Sequence, residues 1–185
     1  AEIVFPKKPT VSSITSDGYY ATNFVTSSLF GVHTAQADEN KLGWSGTDPA
    51  NFQVFAVKEE VESPHCRFQL TGSNFRGLNL TSSLFHDVYE DEKWTFAVRV
   101  CPAKYPFSNF ASGSGQDADL YKVEFYGINN MQDAINNEFY VTGTVTGSAG
   151  RDFLSNNKRL YGGAHYSGFT GSIIQSSDVK ISAMR

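Results

Sequence analysis

The feature that most constrains the fold of this chain is an alternation of apolar and polar residues in short segments. In segment 94–100 the apolar residues fall on one parity, and they are Trp94, Phe96, Val98 and Val100. A period of two is typical of a β-strand with one buried face, because successive side chains of a strand point to opposite sides of its sheet. Segments 121–126 and 139–145 alternate in the same way. This pattern predicts strands packed in two layers.

Strand-like segments recur along the whole chain, and helical periodicity is almost absent. The predicted strands cover 28–34, 52–57, 65–70, 93–100, 120–128, 138–146, 159–166 and 178–184. Segments rich in Gly, Asn, Ser and Asp, such as 147–152 and 162–163, predict turns or loops between them. The only helix candidate is 130–135. Strands that follow one another without intervening helices argue against βαβ units. The predicted fold class is therefore all-β, an antiparallel two-sheet β-sandwich.

The length and charge of the chain limit its organisation and its partners. With 185 residues, we expect a single β-sandwich domain over 1–185, either a processed product or one part of a longer polypeptide. The 15 Phe, 9 Tyr and 2 Trp residues are enough for a large core. A net charge of −4 without clustered Lys and Arg argues against nucleic acid as a partner. No apolar run approaches the ~18–20 residues of a membrane span, so we expect no membrane insertion.

Cys66 and Cys101 are the only two cysteines. Segments 65–70 and 93–101, which contain them, could be antiparallel neighbours, and a disulfide would then be within reach. The alternative is a pair of free thiols, which the absence of a dense cysteine framework favours. No CxxC motif and no His at ligand spacing accompany them, which argues against zinc and against a nucleophilic role.

Residues 158–173 read KRLYGGAHYSGFTGSI, in which a G-A-x turn is followed by F-T-G-x-I, and residues 177–181 come after them. This carboxyl-terminal pattern resembles the end of laminin-G-like domains, which have the concanavalin A-like lectin fold, and segment 177–181 is similar to their closing strand. Segment 92–100 is similar to the W-x-x-x-V/I-x-V strand of the same family. The resemblance covers roughly residues 50–185. Modules of this type also occur in large structural proteins of phage particles.

The resemblance implies a jelly roll that binds glycans or proteins, often with a calcium ion at one rim. Its candidate calcium ligands are Asp117 and Asp119, with Asn129 and Asn130 as additional carbonyl donors. The alternative for this DxD sequence in a Gly- and Ser-rich loop is a solvated turn. We therefore expect no certain cofactor, and calcium is the one candidate.

A glycan site needs an exposed aromatic ring that stacks on a sugar, with amide or carboxylate groups beside it. Two clusters fit this requirement. The candidate glycan-binding residues are Trp44, Asp48 and Asn51 in one cluster and Tyr126, Asn129 and Asn130 in the other. Tyr126 qualifies because it lies on the parity opposite the expected core residues Val123 and Phe125. The alternative is that most aromatic residues of a β-sandwich belong to its core.

Catalytic patterns are weak in this sequence. Glu60 and Glu62 share a parity, as the paired acids of sandwich-type glycosidases do, but the Glu-x-Asp-x-x-Glu pattern is absent and Pro64 indicates a strand end. We therefore expect no enzyme. The preferred interpretation is a non-enzymatic binding or structural module of a large extracellular assembly, at the surface of a virion, that contacts neighbouring subunits or host glycans. The alternatives are a secreted carbohydrate-binding lectin and a divergent glycoside hydrolase.

Overall fold

The structure, a computed structural model, describes residues 1–7, 25–34, 50–72, 75, 77–103, 120–131, 134–163, 165–167, 172–174 and 177–185. The strands are β1 (Glu2–Phe5), β2 (Thr26–Thr34), β3 (Ala50–Lys58), β4 (Cys66–Thr71), β5 (Asn79–Thr81), β6 (Glu92–Pro102), β7 (Leu120–Met131), β8 (Ala134–Thr146), β9 (Lys158–Gly162), β10 (His165–Ser167), β11 (Ser172–Ile174) and β12 (Lys180–Ala183). The described helix is α1 (Gly147–Ser155).

Two five-stranded antiparallel sheets form the fold. One sheet has the order β12-β1-β6-β7-β8 and the other the order β5-β4-β3-β2-β9, and β10 and β11 form a separate small hairpin. Consecutive strands pair within β2–β5 and within β6–β8, whereas β1, β9 and β12 join their sheets from distant parts of the chain. The predicted fold class, an all-β antiparallel two-sheet sandwich, is confirmed, and its architecture is compatible with a jelly roll.

Each predicted strand segment overlaps an observed strand, and one predicted segment is divided between two strands. Segment 159–166 contains the end of β9 and the start of β10, because the chain turns at Gly163 with a φ of +72°. A positive φ of this size is readily adopted by glycine, which has no Cβ to clash with the backbone. The predicted turn at 162–163 is therefore confirmed at Gly163, whereas Gly162 is the last residue of β9.

The helix prediction was wrong in its position. Residues 130–131 end β7 and residues 134–135 begin β8, with Met131 paired to Ala134. The long β7–β8 ladder reaches this pair and outweighs the weak helical pattern of the segment. The helix begins instead at Gly147, in a segment expected to be a loop. Thr146 caps it, because its hydroxyl accepts a hydrogen bond from the backbone N–H of Ala149 at 3.4 Å.

The core between the sheets is dominated by aromatic rings. Phe68 of β4 lies 4.7 Å from the ring of Trp94 and 4.8 Å from that of Phe96, both on β6 of the facing sheet. Trp94 and Phe96 are almost fully buried and Thr95 between them is exposed, which confirms the predicted alternation. Phe139 of β8 stacks on Phe68 at 5.6 Å. Its ring also covers Gly127 of β7, where a Cβ atom would lie 2.1 Å from the ring.

The two cysteines do not lie on neighbouring strands. Cys66 belongs to β4 and Cys101 to β6, which are in different sheets, and neither forms a disulfide. The backbone of Cys66 forms an isolated bridge with Phe85 instead. The expectation of adjacent strands was wrong, because the two segments pack face to face rather than edge to edge, and the alternative without a disulfide is confirmed, with Cys66 buried and Cys101 half-buried.

Helix α1 packs beside the sandwich and is short. The ring of Phe153 contacts Phe52 of β3 at 6.1 Å and Phe75 at 5.6 Å. Within the described ranges, no helix has the length and apolar character needed to cross a membrane.

Candidate functional site

The outer face of the sheet that contains β6, β7 and β8 carries a cluster of charged and aromatic side chains. Residues on one parity of β7 face the core, so those on the other parity face outward. Strand register then places Arg99 of β6 opposite Glu124 and Tyr140 of β8 opposite Tyr126. We call the set formed by Arg99, Lys122, Glu124, Tyr126 and Tyr140 the outer-face cluster.

The aromatic part of the outer-face cluster is a stacked pair of tyrosines. The rings of Tyr126 and Tyr140 have centroids 4.6 Å apart and planes inclined by 24°. They stack because they are direct cross-strand partners, and such pairs bring side chains of adjacent strands into contact. Tyr140 is 49% exposed. The pair therefore presents an open aromatic surface on the face of the sheet.

The polar part of the cluster is centred on the carboxylate of Glu124, whose side chain is only 6% exposed. Its Oε1 lies 2.8 Å from Nζ of Lys122 and accepts a hydrogen bond from the hydroxyl of Tyr140 at 2.7 Å. Its Oε2 accepts a hydrogen bond from Arg99 at 3.3 Å. Nζ of Lys122 also donates to the Tyr140 hydroxyl at 2.7 Å. These contacts hold the exposed ring of Tyr140 in a fixed orientation.

The same contacts shift the pKa values of Glu124 and Lys122. Hydrogen bonds from Lys122 and Tyr140 lower the pKa of Glu124 from 4.5 to about 2. The hydrogen bond to Glu124, followed by that to Tyr140, raises the pKa of Lys122. Both groups therefore remain charged through the neutral pH range, and the cluster carries one negative and two positive charges when Arg99 is included.

The depressed pKa of Glu124 predicts a pH-dependent contribution to stability. A carboxyl group whose pKa is lower in the folded than in the unfolded state stabilises the fold above its unfolded pKa, near 4.5, and this contribution is lost as the pH falls towards about 2. We expect the difference in free energy of unfolding between the native chain and Glu124→Gln to shrink over this interval. Urea denaturation of both proteins at a series of pH values measures it, and a difference independent of pH would contradict the prediction.

Several residues proposed from the sequence lie outside the described part of the chain. They are Trp44 and Asp48 of one glycan cluster and the calcium candidates Asp117 and Asp119. Asn51 belongs to β3, but its side chain is not among those described. These predictions remain untested by the geometry of the fold.

The second predicted cluster is only partly assembled around Tyr126. Asn129 pairs with the buried Trp94 and is itself 1% exposed, so it faces away from Tyr126. Its amide donates to the Lys93 carbonyl at 3.0 Å and its Oδ1 accepts from Asn136 at 3.1 Å. Asn130 is exposed beyond a register shift near the end of β7. The amide of Asn129 is therefore buried and bonded within the fold, and it does not lie beside Tyr126.

The residues that surround Tyr126 in the outer-face cluster were not predicted from the sequence. The parity argument that placed Tyr126 on the outer face applies equally to Lys122 and Glu124, so these two could have been found. Tyr140 and Arg99 come from neighbouring strands, and only the register of β8 and β6 against β7 brings them alongside.

The described residues give little support to a catalytic pair of acidic residues or to a metal-binding site. Glu60 and Glu62 are exposed in the turn that follows β3, where the backbone N–H of Ser63 donates to the Glu60 carbonyl. They do not lie side by side on a strand. Across the residues with described placement, no group of three or more His, Cys, Asp or Glu side chains could hold a metal ion.

Comparison of the chain with protein-family models, curated proteins and solved structures gave no match. The fold and the cluster therefore define the class of protein: an antiparallel β-sandwich with a polar and aromatic patch on the outer face of one sheet.

Proposed function

We propose that this chain is a non-enzymatic binding module that recognises glycans through the outer-face cluster. The observation that carries the proposal is the stacked pair of Tyr126 and Tyr140 on an open face of the sheet. An aromatic ring held in place can pack against the apolar face of a sugar with little further loss of side-chain entropy. The hydrogen bonds of Tyr140 to Lys122 and Glu124 provide this restraint.

The charged members of the cluster are suited to the polar edges of a sugar. The side chain of Arg99 is 66% exposed, so its guanidinium can donate to hydroxyl or carboxylate oxygens while it contacts Glu124. Glu124 neutralises one of the two cations and leaves a net positive charge on the patch. Neutral sugars and acidic sugars are therefore the ligand classes that fit it best.

The setting of this module is part of the same proposal. We place it in a large extracellular assembly at the surface of a virion, as a laminin-G-like jelly roll, on the resemblance of segments 92–100 and 158–173 to that family. The secreted lectin is the alternative, and it uses the same site. Contact with neighbouring subunits is a second candidate function, favoured by β8, a strand of 13 residues that lies at the edge of its sheet among the described strands and exposes Ile135.

A glycan array with the whole chain, with and without calcium, tests the proposed function. We expect saturable binding to at least one glycan class and a roughly 3- to 10-fold loss of affinity for Tyr140→Ala, because one aromatic contact contributes about 0.5–1.5 kcal/mol. Leu154→Ala, at an equally exposed apolar position on α1, is the matched control and should bind normally. Calcium dependence would support Asp117 and Asp119 as ligands. Absence of glycan binding, or full affinity in Tyr140→Ala, would overturn the proposal.

A further inference from the structure

The strand β5 consists of the triplet Asn79-Leu80-Thr81. This triplet has the form Asn-x-Ser/Thr, which is the acceptor sequence for N-linked glycans when the middle residue is not proline. No other Asn in the 185 residues is followed by Ser or Thr at the second position. Because such triplets also arise by chance, the position of the two polar side chains in the fold decides whether the site is accessible.

Asn79 and Thr81 point outward from the sheet that contains β5. Both residues are exposed, whereas Leu80 between them is 7% exposed and belongs to the core. Successive side chains of a strand point to opposite faces, so the two polar side chains share the outer face. That face is turned away from the other sheet, which carries the outer-face cluster. A group attached to Asn79 would therefore extend into solvent on the opposite side of the sandwich.

The hydrogen bonds of the Asn79 side chain involve its carbonyl oxygen. Oδ1 accepts from Nε2 of Gln69 on β4 at 2.8 Å and from the hydroxyl of Thr81 at 3.2 Å. Among the residues that the structure describes, none accepts a hydrogen bond from Nδ2 of Asn79. This nitrogen carries two hydrogens, so a sugar can replace one of them without breaking a bond of the fold. The strand also holds the required hydroxyl beside the acceptor amide.

We propose that Asn79 is an attachment site for an N-linked glycan. The donor class is an oligosaccharide joined to a lipid carrier through pyrophosphate. Nδ2 forms a bond to the anomeric carbon of the first sugar and loses one proton, the bond from that carbon to the pyrophosphate oxygen breaks, and the lipid pyrophosphate leaves. Oδ1 keeps its bonds to Gln69 and Thr81. The glycan is bulky and hydrophilic, and the exposed face of β5 accommodates it without a change in the sheet.

Expression of the full chain in cultured mammalian cells, with a cleavable secretion leader added, tests this inference. Medium and cell lysate are both analysed on denaturing gels. We expect the chain to migrate more slowly than the same chain made in bacteria, and peptide-N-glycosidase F should abolish the difference. This enzyme converts a glycosylated Asn to Asp. Tandem mass spectrometry of the tryptic peptide 77–93 should therefore show Asp at position 79 after the treatment.

Matched variants separate use of the triplet from other effects. Asn79→Gln and Thr81→Ala should lose the mobility difference, whereas Thr81→Ser, which keeps the hydroxyl, should retain it. Thr142→Ala, at an exposed threonine of β8 outside any such triplet, should retain it as well. A native chain without the difference in both medium and lysate would overturn the inference, and so would a difference that persists in Asn79→Gln. A lower urea midpoint for the glycosylated chain than for the enzyme-treated chain would contradict the exposed position of the site.

Discussion

Replacement of Lys58 by Met is expected to lower the free energy of unfolding by about 3–5 kcal/mol, because it leaves a carboxylate buried without its cation. The side chain of Lys58 is 0% exposed and its Nζ lies 3.3 Å from Oδ2 of Asp178, which is 9% exposed. Oδ1 of the same carboxylate accepts a hydrogen bond from the Tyr89 hydroxyl at 3.0 Å. Burial raises the pKa of Tyr89 well above its ordinary value, so its hydroxyl remains a donor.

This buried ion pair connects the end of β3 to the segment that precedes β12, 120 residues further along the chain. Nζ of Lys58 also donates to the Val61 carbonyl, and the N–H of Asp178 donates to the Ser27 hydroxyl. The pair therefore ties the segment that leads into β12, a strand of one sheet, to β2 and β3 of the other sheet. Loss of one member is expected to loosen β12 together with the rest of the fold.

Urea denaturation of matched variants measures this effect. Lys93→Met is the control, since Lys93 forms a 2.6 Å ion pair with Glu2 in which the two side chains are 52% and 32% exposed, and pairs in contact with solvent contribute at most about 1 kcal/mol. The double variant Lys58→Met/Asp178→Leu should recover much of the loss, because it removes both charges. A Lys58→Met variant no less stable than Lys93→Met would contradict the prediction.

Truncation of Phe68 to Ala is expected to cost about 3–5 kcal/mol as well, through lost burial and a cavity in the core. Its ring is fully buried and packs against the rings of Trp94, Phe96 and Phe139, with stacked geometry against the last. It therefore joins β4 of one sheet to β6 and β8 of the other.

Leu154→Ala on the exposed side of α1 is the control for Phe68→Ala, because its side chain is 44% exposed. We expect it to change the free energy of unfolding by at most about 0.5 kcal/mol. Phe68→Leu should fall between the two, since it keeps part of the apolar volume. Equal stability of Phe68→Ala and Leu154→Ala in urea would show that the sheets do not depend on this contact.

From the sequence, the outward-facing position of a site residue could be predicted only within one strand, β7. Parity in segment 121–126 placed Tyr126 on an outer face, and the structure confirms that Val123 and Phe125 face the core. It could not indicate Tyr140 as the stacking partner, because the register of β8 against β7 depends on the whole ladder. Asn129 looked available because it lies three residues from Tyr126, but a strand turns residues at that spacing to opposite faces.

By itself, the sequence determined the all-β class and the buried parity of β6 and β7. These properties follow from local spacing, since a period of two requires one face of each strand to be buried. Only the tertiary structure decided which strands are neighbours. It separated Cys66 from Cys101, replaced a short helix with the β7–β8 hairpin, and brought Lys58 to Asp178 and Tyr126 to Tyr140. Such contacts depend on pairings between segments far apart in the chain, and the free energy of those pairings comes from a core that no single segment contains.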